Sequence, residues 1–275
     1  MVSDLDTYLF DLRGYLHLES TLTAAEVTEL NGVLDCLPRL RPGEWCGHIH
    51  GHTYGTRDGL NYQQIYEAGE PFERLIDHPS WFAHVRLFVG GEGTFDYHHG
   101  PLFIDECFAS FRGPGEAIGL HSGGYPPIHR NQYCYLGGRF LCGQVNVLLA
   151  LTDIGPGDGG TMIIPASHKS NFRHPHCEAH RMKPEGATVE GIEGAVEIPM
   201  RAGDALVFVD ALSHGSARRT NPGERRIVVY RYGPSWGNFR YGYAPSPELL
   251  ARLTPQRRQI VQPLVPLPRQ PQVGR

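Results

Sequence analysis

Residues 143–151 read Gly-Gln-Val-Asn-Val-Leu-Leu-Ala-Leu. The run starts by alternating polar with apolar residues and then turns wholly apolar, as a strand buried between two layers does. Outward from it, short apolar runs cut by Gly, Pro and Asp recur at 106–112, 142–152, 161–164, 196–199, 205–210 and 226–232. This spacing predicts a mainly β chain from about Asp105 onward. Ala205-Leu206-Val207-Phe208-Val209 and Ile227-Val228-Val229-Tyr230 flank the turn Thr220-Asn221-Pro222-Gly223 and read as a hairpin pair.

The N-terminal third differs. Tyr15-Leu16-His17-Leu18 alternates as a strand would, and Thr23 with Glu26 offers a capping box for a helix carrying Val27, Leu30, Val33, Leu34 and Leu37 until Pro38 stops it. The Gly- and His-rich chain from Arg41 to Gln63 reads as a long loop, and 71–89 as one or two short helices belonging to a surface layer. Beyond Ser246 one helix is expected, Pro247 to Leu253, followed by irregular Pro-rich chain.

Composition excludes several classes. The 275 residues are 40% hydrophobic and 20% charged, which is ordinary globular usage. The net charge of −4 provides no basic field for a nucleic-acid backbone. No run is long enough to span a membrane, and MVSDLDTYLFDLRGYL lacks the basic-then-apolar order of a secretion signal, so no membrane partner is expected. Six cysteines without a CxxC pair argue against a disulfide framework or a thiolate zinc site and fit a reducing cytoplasm. The surplus of 15 His, in contrast, raises the question of a metal.

Three His-bearing segments are candidates: His121 in Leu-His-Ser-Gly-Gly, His168 in Ser-His-Lys, and His214 in Ser-His-Gly-Ser. Eleven residues after His214 comes Arg225-Arg226, opening the return strand. A guanidinium is the natural fork for a carboxylate, since it donates two parallel charge-assisted hydrogen bonds and keeps its charge. One strand register puts Arg225 on the His214 face and a one-residue slip puts Arg226 there; the sequence leaves both open.

These residues resemble the phytanoyl-CoA dioxygenase family of iron(II)- and 2-oxoglutarate-dependent oxygenases. The resemblance runs through Gly14-Tyr15-Leu16-His17-Leu18 before the Thr-x-x-Glu helix, Asp153-Ile154-Gly155-Pro156-Gly157-Asp158-Gly159-Gly160-Thr161 leading to Ile164-Pro165-Ala166-Ser167-His168-Lys169, and Ala202-Gly203-Asp204 through Ser213-His214-Gly215-Ser216. It implies a double-stranded β-helix, a cupin-like jelly roll with flanking helices, in a single domain: a helical and loop layer over 1–104, the β-helix core over 105–236 and a tail over 237–275. It further implies His121 and His214 as iron ligands and catalytic residues, Arg225 as the clamp on the far carboxylate of 2-oxoglutarate, and Ser216 as that carboxylate's hydroxyl partner. His168, which is not among the implied ligands, is then either structural or a support behind them. The implied reaction uses molecular oxygen and 2-oxoglutarate to oxidise a C–H bond of a small organic substrate.

One position departs from the pattern. The usual facial triad has His-x-Asp or His-x-Glu, whereas Gly123 stands two residues after His121. Related halogenases resemble this chain in having His-x-Gly or His-x-Ala, with chloride at the iron in place of the carboxylate. The other reading keeps hydroxylation and completes the iron with water or with a carboxylate such as Asp158 or Glu116. From a different class of function, a non-catalytic jelly roll could bind a metabolite, but retention of His121, His214 and Arg225 together favours an enzyme. Tyr54, Tyr62, Tyr97, Tyr125, Tyr133, Tyr135 and Trp236 are aromatic candidates for a pocket wall, and His48, His50 and His52 would share a face if that segment were a strand.

Overall fold

A computed structural model describes residues 2–95, 98–123, 129–237 and 243–262. Its strands are β1 (Tyr15–Leu18), β2 (Trp45–Cys46), β3 (Ile49–His52), β4 (Leu60–Gln63), β5 (Leu102–Arg112), β6 (Tyr135–Leu136), β7 (Arg139–Phe140), β8 (Val145–Ala150), β9 (Thr161–Ile163), β10 (Val196–Ile198), β11 (Ala205–Val209), β12 (His214–Ser216) and β13 (Arg225–Pro234). Eight of them form one antiparallel sheet in the order β1-β11-β8-β13-β5-β4-β3-β2, and β10-β9-β12 form a second. The two sheets line the two sides of one cleft.

The predicted strands from 106 onward are present, and β8 is buried at every position, as its apolar run requires. The predicted hairpin of β11 with β13 does not form. β8 lies between them, bonded to β11 on one side and β13 on the other, because the chain after β11 leaves the large sheet to make β12 against β9. A polar turn between two apolar runs marks where the chain reverses, not which strands then pair.

The helix α2 (Ala24–Cys36) starts at Thr23, with both hydrogen bonds of the Thr23–Glu26 capping box in place. It is preceded by a second helix that the strand-then-helix reading omits, α1 (Asp4–Arg13), capped by Ser3 and Asp6 and closed by Gly14 at φ +84°. The segment read as a long loop, 41–63, contributes β2, β3 and β4 to the edge of the large sheet. The helices within 70–89 are not a surface layer: Phe72, Ile76, Trp81, Val85 and Phe88 are fully buried against the outer face of the sheet core. After Pro247–Arg252 a further helix, Pro255–Val261, packs where irregular chain was expected. All six cysteines are free, and no helix among the described residues is long and apolar enough to cross a membrane.

Candidate active site

His121 and His214 meet in an isolated antiparallel bridge, each accepting the other's backbone N–H, at 2.9 and 3.1 Å. Their ring centroids lie 4.0 Å apart. Nδ1 of His121 donates to the Gly119 carbonyl at 3.0 Å, and Nδ1 of His214 donates to the Leu212 carbonyl at 2.7 Å. With each Nδ1–H tied to the backbone, Nε2 is the nitrogen through which either ring would bind a metal, the arrangement that fixes tautomer and orientation in metal-binding imidazoles. Burial and then the neighbouring His214 hold the His121 pKa well below its ordinary value, so the ring is neutral, as a ligand must be. Phe208 packs edge-on against His214 at 4.8 Å and limits its rotation.

The pair lies in a cleft whose other end holds Arg112, Arg225 and Ser216. Arg225 faces this cleft, 1% exposed, and its Nη1 donates to the Gly159 carbonyl. Arg226 faces outward and pairs with Asp35 and Glu224, which settles the register left open by the sequence. The closeness of Arg225 to His214 does not come from a hairpin. The two residues stand on different sheets and meet across the cleft.

Arg112 has no counterpart in the sequence reading. It is the β5 residue directly opposite Arg225, and it is equally buried. Its Nη1 donates to Ser216 Oγ at 2.7 Å, while Ser216 Oγ also accepts the Ile118 N–H at 2.9 Å. With two donors already received, the Ser216 hydroxyl has its own proton to give. Neither Arg112 Nε nor Arg225 Nε has a hydrogen-bond partner. Burial pushes the Arg112 pKa down to about 10, and burial together with Arg112 pushes Arg225 well down. Arg231, which also lines the cleft, behaves oppositely: burial lowers its pKa, but Glu106 at 3.2 Å and other anionic neighbours more than compensate. Two of the three cleft arginines therefore lack the anion that the third has.

The remaining candidates fall into place around this pocket. His168 Nε2 bonds the Asp11 carbonyl and its ring packs on Tyr133, a structural role in holding α1. Asp158 is held by Arg219, Asn221 and the Gly155 N–H, and Glu116 by the Gly113 N–H, so neither offered carboxylate lines the cleft. Gly123 has φ +74°, and a Cβ built there would overlap Ser213 Oγ. Glycine at 123 is thus required by the backbone and by Ser213, and a carboxylate cannot be introduced there without strain. Ile49–His52 is a strand, which puts His50 and His52 on one face with ring centroids 6.0 Å apart, but no group of three metal-ligating side chains occurs among the described residues. Of the aromatic candidates, Tyr62 lies on the opposite sheet face, Tyr135 and Trp236 are exposed, and Tyr97 and Tyr125 lie outside the described residues. A larger open hollow beside β1 is lined by His17 and Asp204, whose polar atoms are already satisfied by Ser20, Arg201 and each other.

The profile of the phytanoyl-CoA dioxygenase family (PhyH) matches residues 10–227, a span that contains both histidines and Arg225. The chain belongs to this family. Dioxygenase sphC of Aspergillus fumigatus is 26% identical over 233 residues, covering 81% of this chain and 56% of sphC. Dioxygenase cdmD of Talaromyces verruculosus is 28% identical over 119 residues, 43% of this chain and 35% of cdmD. The chain thus spans about a third to a half of the length of these two relatives. Among solved structures, HygX from Streptomyces hygroscopicus with nickel and 2-oxoglutarate bound superposes with a TM-score of 0.71 at 24% identity, covering 90% of this chain and 94% of HygX. The non-heme alpha ketoglutarate dependent carbocyclase SnoK from nogalamycin biosynthesis does so with a TM-score of 0.56 at 17% identity, covering 84% and 83%. The fold shared with these proteins is the jelly roll with flanking helices.

Proposed function

We propose that the protein is an iron(II)- and 2-oxoglutarate-dependent oxygenase that oxidises a C–H bond of a small organic substrate. The observation that carries this reading is the polarity of one cleft: two imidazoles with Nδ1 tied back at one end, and two buried guanidiniums lacking a carboxylate at the other. A dicarboxylate that reaches from a metal to a pair of cations fits that arrangement. HygX, which shares the fold, has nickel and 2-oxoglutarate bound in its structure.

In this reading His121 and His214 hold the iron, and Arg225 and Arg112 receive the far carboxylate of 2-oxoglutarate while the Ser216 hydroxyl donates to it. Bound together, iron and the keto acid supply the oxidising chemistry, in which oxygen is reduced and 2-oxoglutarate is converted to succinate and carbon dioxide. The protein's part is positioning and exclusion. Phe108, Leu148, Ile227 and Val229 wall the cleft with groups that carry no polar atom, which keeps water from the reacting centre. The desolvated guanidiniums gain most when an anion arrives, because a charge-assisted pair is strong in a water-poor site.

A second reading is supported by Gly123. No Asp or Glu lines the described cleft, and position 123 cannot carry one without strain, so an iron position would be completed by water or by halide. With chloride there, the product would be a C–Cl rather than a C–OH bond. Chloride or bromide added to the anaerobic iron(II)–2-oxoglutarate complex should shift its visible charge-transfer band under the halogenase reading and leave it in place under hydroxylation. The parent reading is tested by succinate release from iron(II), ascorbate, oxygen and 2-oxoglutarate, expected in the wild type and lost in His214→Ala. A wild type that neither binds iron nor releases succinate would instead be a non-catalytic metabolite-binding jelly roll.

A further inference from the structure

The pocket face of the large sheet extends well past the cleft. Cross-strand partners share a face, and the register aligns Trp45, His50, Gln63, Phe108 and Val229 in one row across β2, β3, β4, β5 and β13. The next row is His52, Asn61, Ser110 and Ile227. Phe108, Val229, Ser110 and Ile227 line the cleft, so the outer members of both rows continue its floor toward the sheet edge.

Two features of this floor are unexplained by iron or cosubstrate. The first is a run of rings leading outward: Phe108 to Tyr54 at 6.5 Å, Tyr54 to His52 at 4.8 Å, His52 to His50 at 6.0 Å, and His50 stacked on Trp45 at 4.5 Å. Tyr243 packs against both His50 and Trp45 at 6.0 Å, and Trp45 nevertheless stays 53% exposed, although a large indole is usually covered. The second is a set of buried neutral polar groups that the protein leaves unbonded. Asn61 is 1% exposed, and neither its amide oxygen nor its amide nitrogen has a partner; Ser110 Oγ and Gln63 Oε1 have none either. A buried polar group left unsatisfied forfeits its hydrogen bonds to water without replacement, so a site that keeps several together is built to receive something.

The chemistry of the two features is complementary. Amide and hydroxyl groups offer donors and acceptors without charge, which suits ligand hydroxyls, each able to donate and accept. Ring faces suit the C–H face of a saturated ring. A hydrocarbon or acyl chain would leave Asn61 and Ser110 unpaired. We propose that Asn61, Ser110 and Gln63, with the ring run ending at Trp45, form the substrate subsite, and that the substrate carries a neutral polyhydroxylated ring, a sugar or cyclitol. This rests on the oxygenase reading and names the substrate class of that same site.

The test uses methyl β-D-glucopyranoside and maltotriose as probes, with 2-naphthoate and decanoyl-CoA as controls, followed by saturation-transfer NMR on the metal-free protein with 2-oxoglutarate. The glycosides are expected to bind in the millimolar range and to weaken about tenfold, about 1.4 kcal/mol, in both Asn61→Leu and Trp45→Ala, with 2-oxoglutarate affinity unchanged. Because Trp45 is exposed, its replacement leaves the fold intact even if Asn61→Leu does not. Glycosides that fail to bind, or that bind equally well to both variants, would overturn the proposal. So would a tenfold loss of 2-oxoglutarate affinity in Asn61→Leu, which would assign that amide to the cosubstrate. A wild type that releases no succinate refutes the oxygenase reading and leaves the glycoside result standing by itself.

Discussion

Arg112 and Arg225 face each other directly on adjacent antiparallel strands, two buried guanidiniums with no ion-pair partner among the described residues. Apposed like charges out of water destabilise the ligand-free fold, and in the proposed reading the cosubstrate carboxylate relieves them. Arg225→Met is therefore expected to weaken 2-oxoglutarate binding about 10- to 100-fold, matching the ~1.5–3 kcal/mol of a lost charge-assisted hydrogen bond. The ligand-free variant should unfold at the same temperature or higher. Calorimetric titration and thermal unfolding check both halves, and unchanged affinity would remove Arg225 from the cosubstrate end.

Arg226 provides the contrasting case one residue away. Its guanidinium reaches Asp35, Glu224 and Asn31 on the outer face. Arg226→Ala should leave 2-oxoglutarate affinity as it is and cost about 0.5–1 kcal/mol of stability, as partly exposed ion pairs do. A loss of affinity comparable with that of Arg225→Met would mean that the strand register is shifted.

Gly123→Asp writes the missing carboxylate back into the motif, yet it should not create a working ligand. The backbone there is left-handed and Ser213 Oγ occupies the space of the new Cβ. A cost of about 1–2 kcal/mol from the conformation alone is expected, with more from the overlap. Adding Ser213→Gly should recover only the overlap part, which a double-mutant cycle in thermal unfolding would isolate. Iron affinity that rises in Gly123→Asp alone would contradict this geometry.

His168 gives a pH signature separate from the metal pair. Burial pushes its pKa down to about 4 from an ordinary value near 6.5. The unfolded chain therefore takes up the proton first, so stability falls as pH drops through the window from about 6.5 to about 4, and above that window His168 contributes no slope. The full effect is on the order of 3 kcal/mol. Denaturant unfolding of His168→Gln across this window should show a flatter pH dependence than the wild type, whatever the variant's absolute stability. An equally steep profile would reassign the effect to other buried histidines.

The sequence announces strands better than it announces their partners. The apolar runs at 142–152 and 205–210 locate β8 and β11, but the polar turn after β11 carries no sign that β12 crosses to the other sheet. Ser3, Asp6 and Gly14 do spell a capped helix, so the signal for α1 is present in the sequence. β3 was obscured because two of its four residues are His and one is Gly, so its Ile49 and Gly51 inward alternation has almost no apolar contrast. His121, His214, Arg225 and Ser216 could be picked out because local motifs carry them. Arg112, Asn61 and Ser110 could not, since each matters only through the strand it is paired with.

The mutual amide exchange between residues 121 and 214 also bears on how the site would behave when loaded. The two carriers are clasped at the main chain before any ion arrives, with both rings pinned to carbonyls two residues back. Such a jaw has little slack to take up on loading, so the entropy of assembling it is already spent during folding. Metal capture would then report the intrinsic appetite of two imidazoles, and exchange of one divalent ion for another should proceed without rearranging the barrel around them.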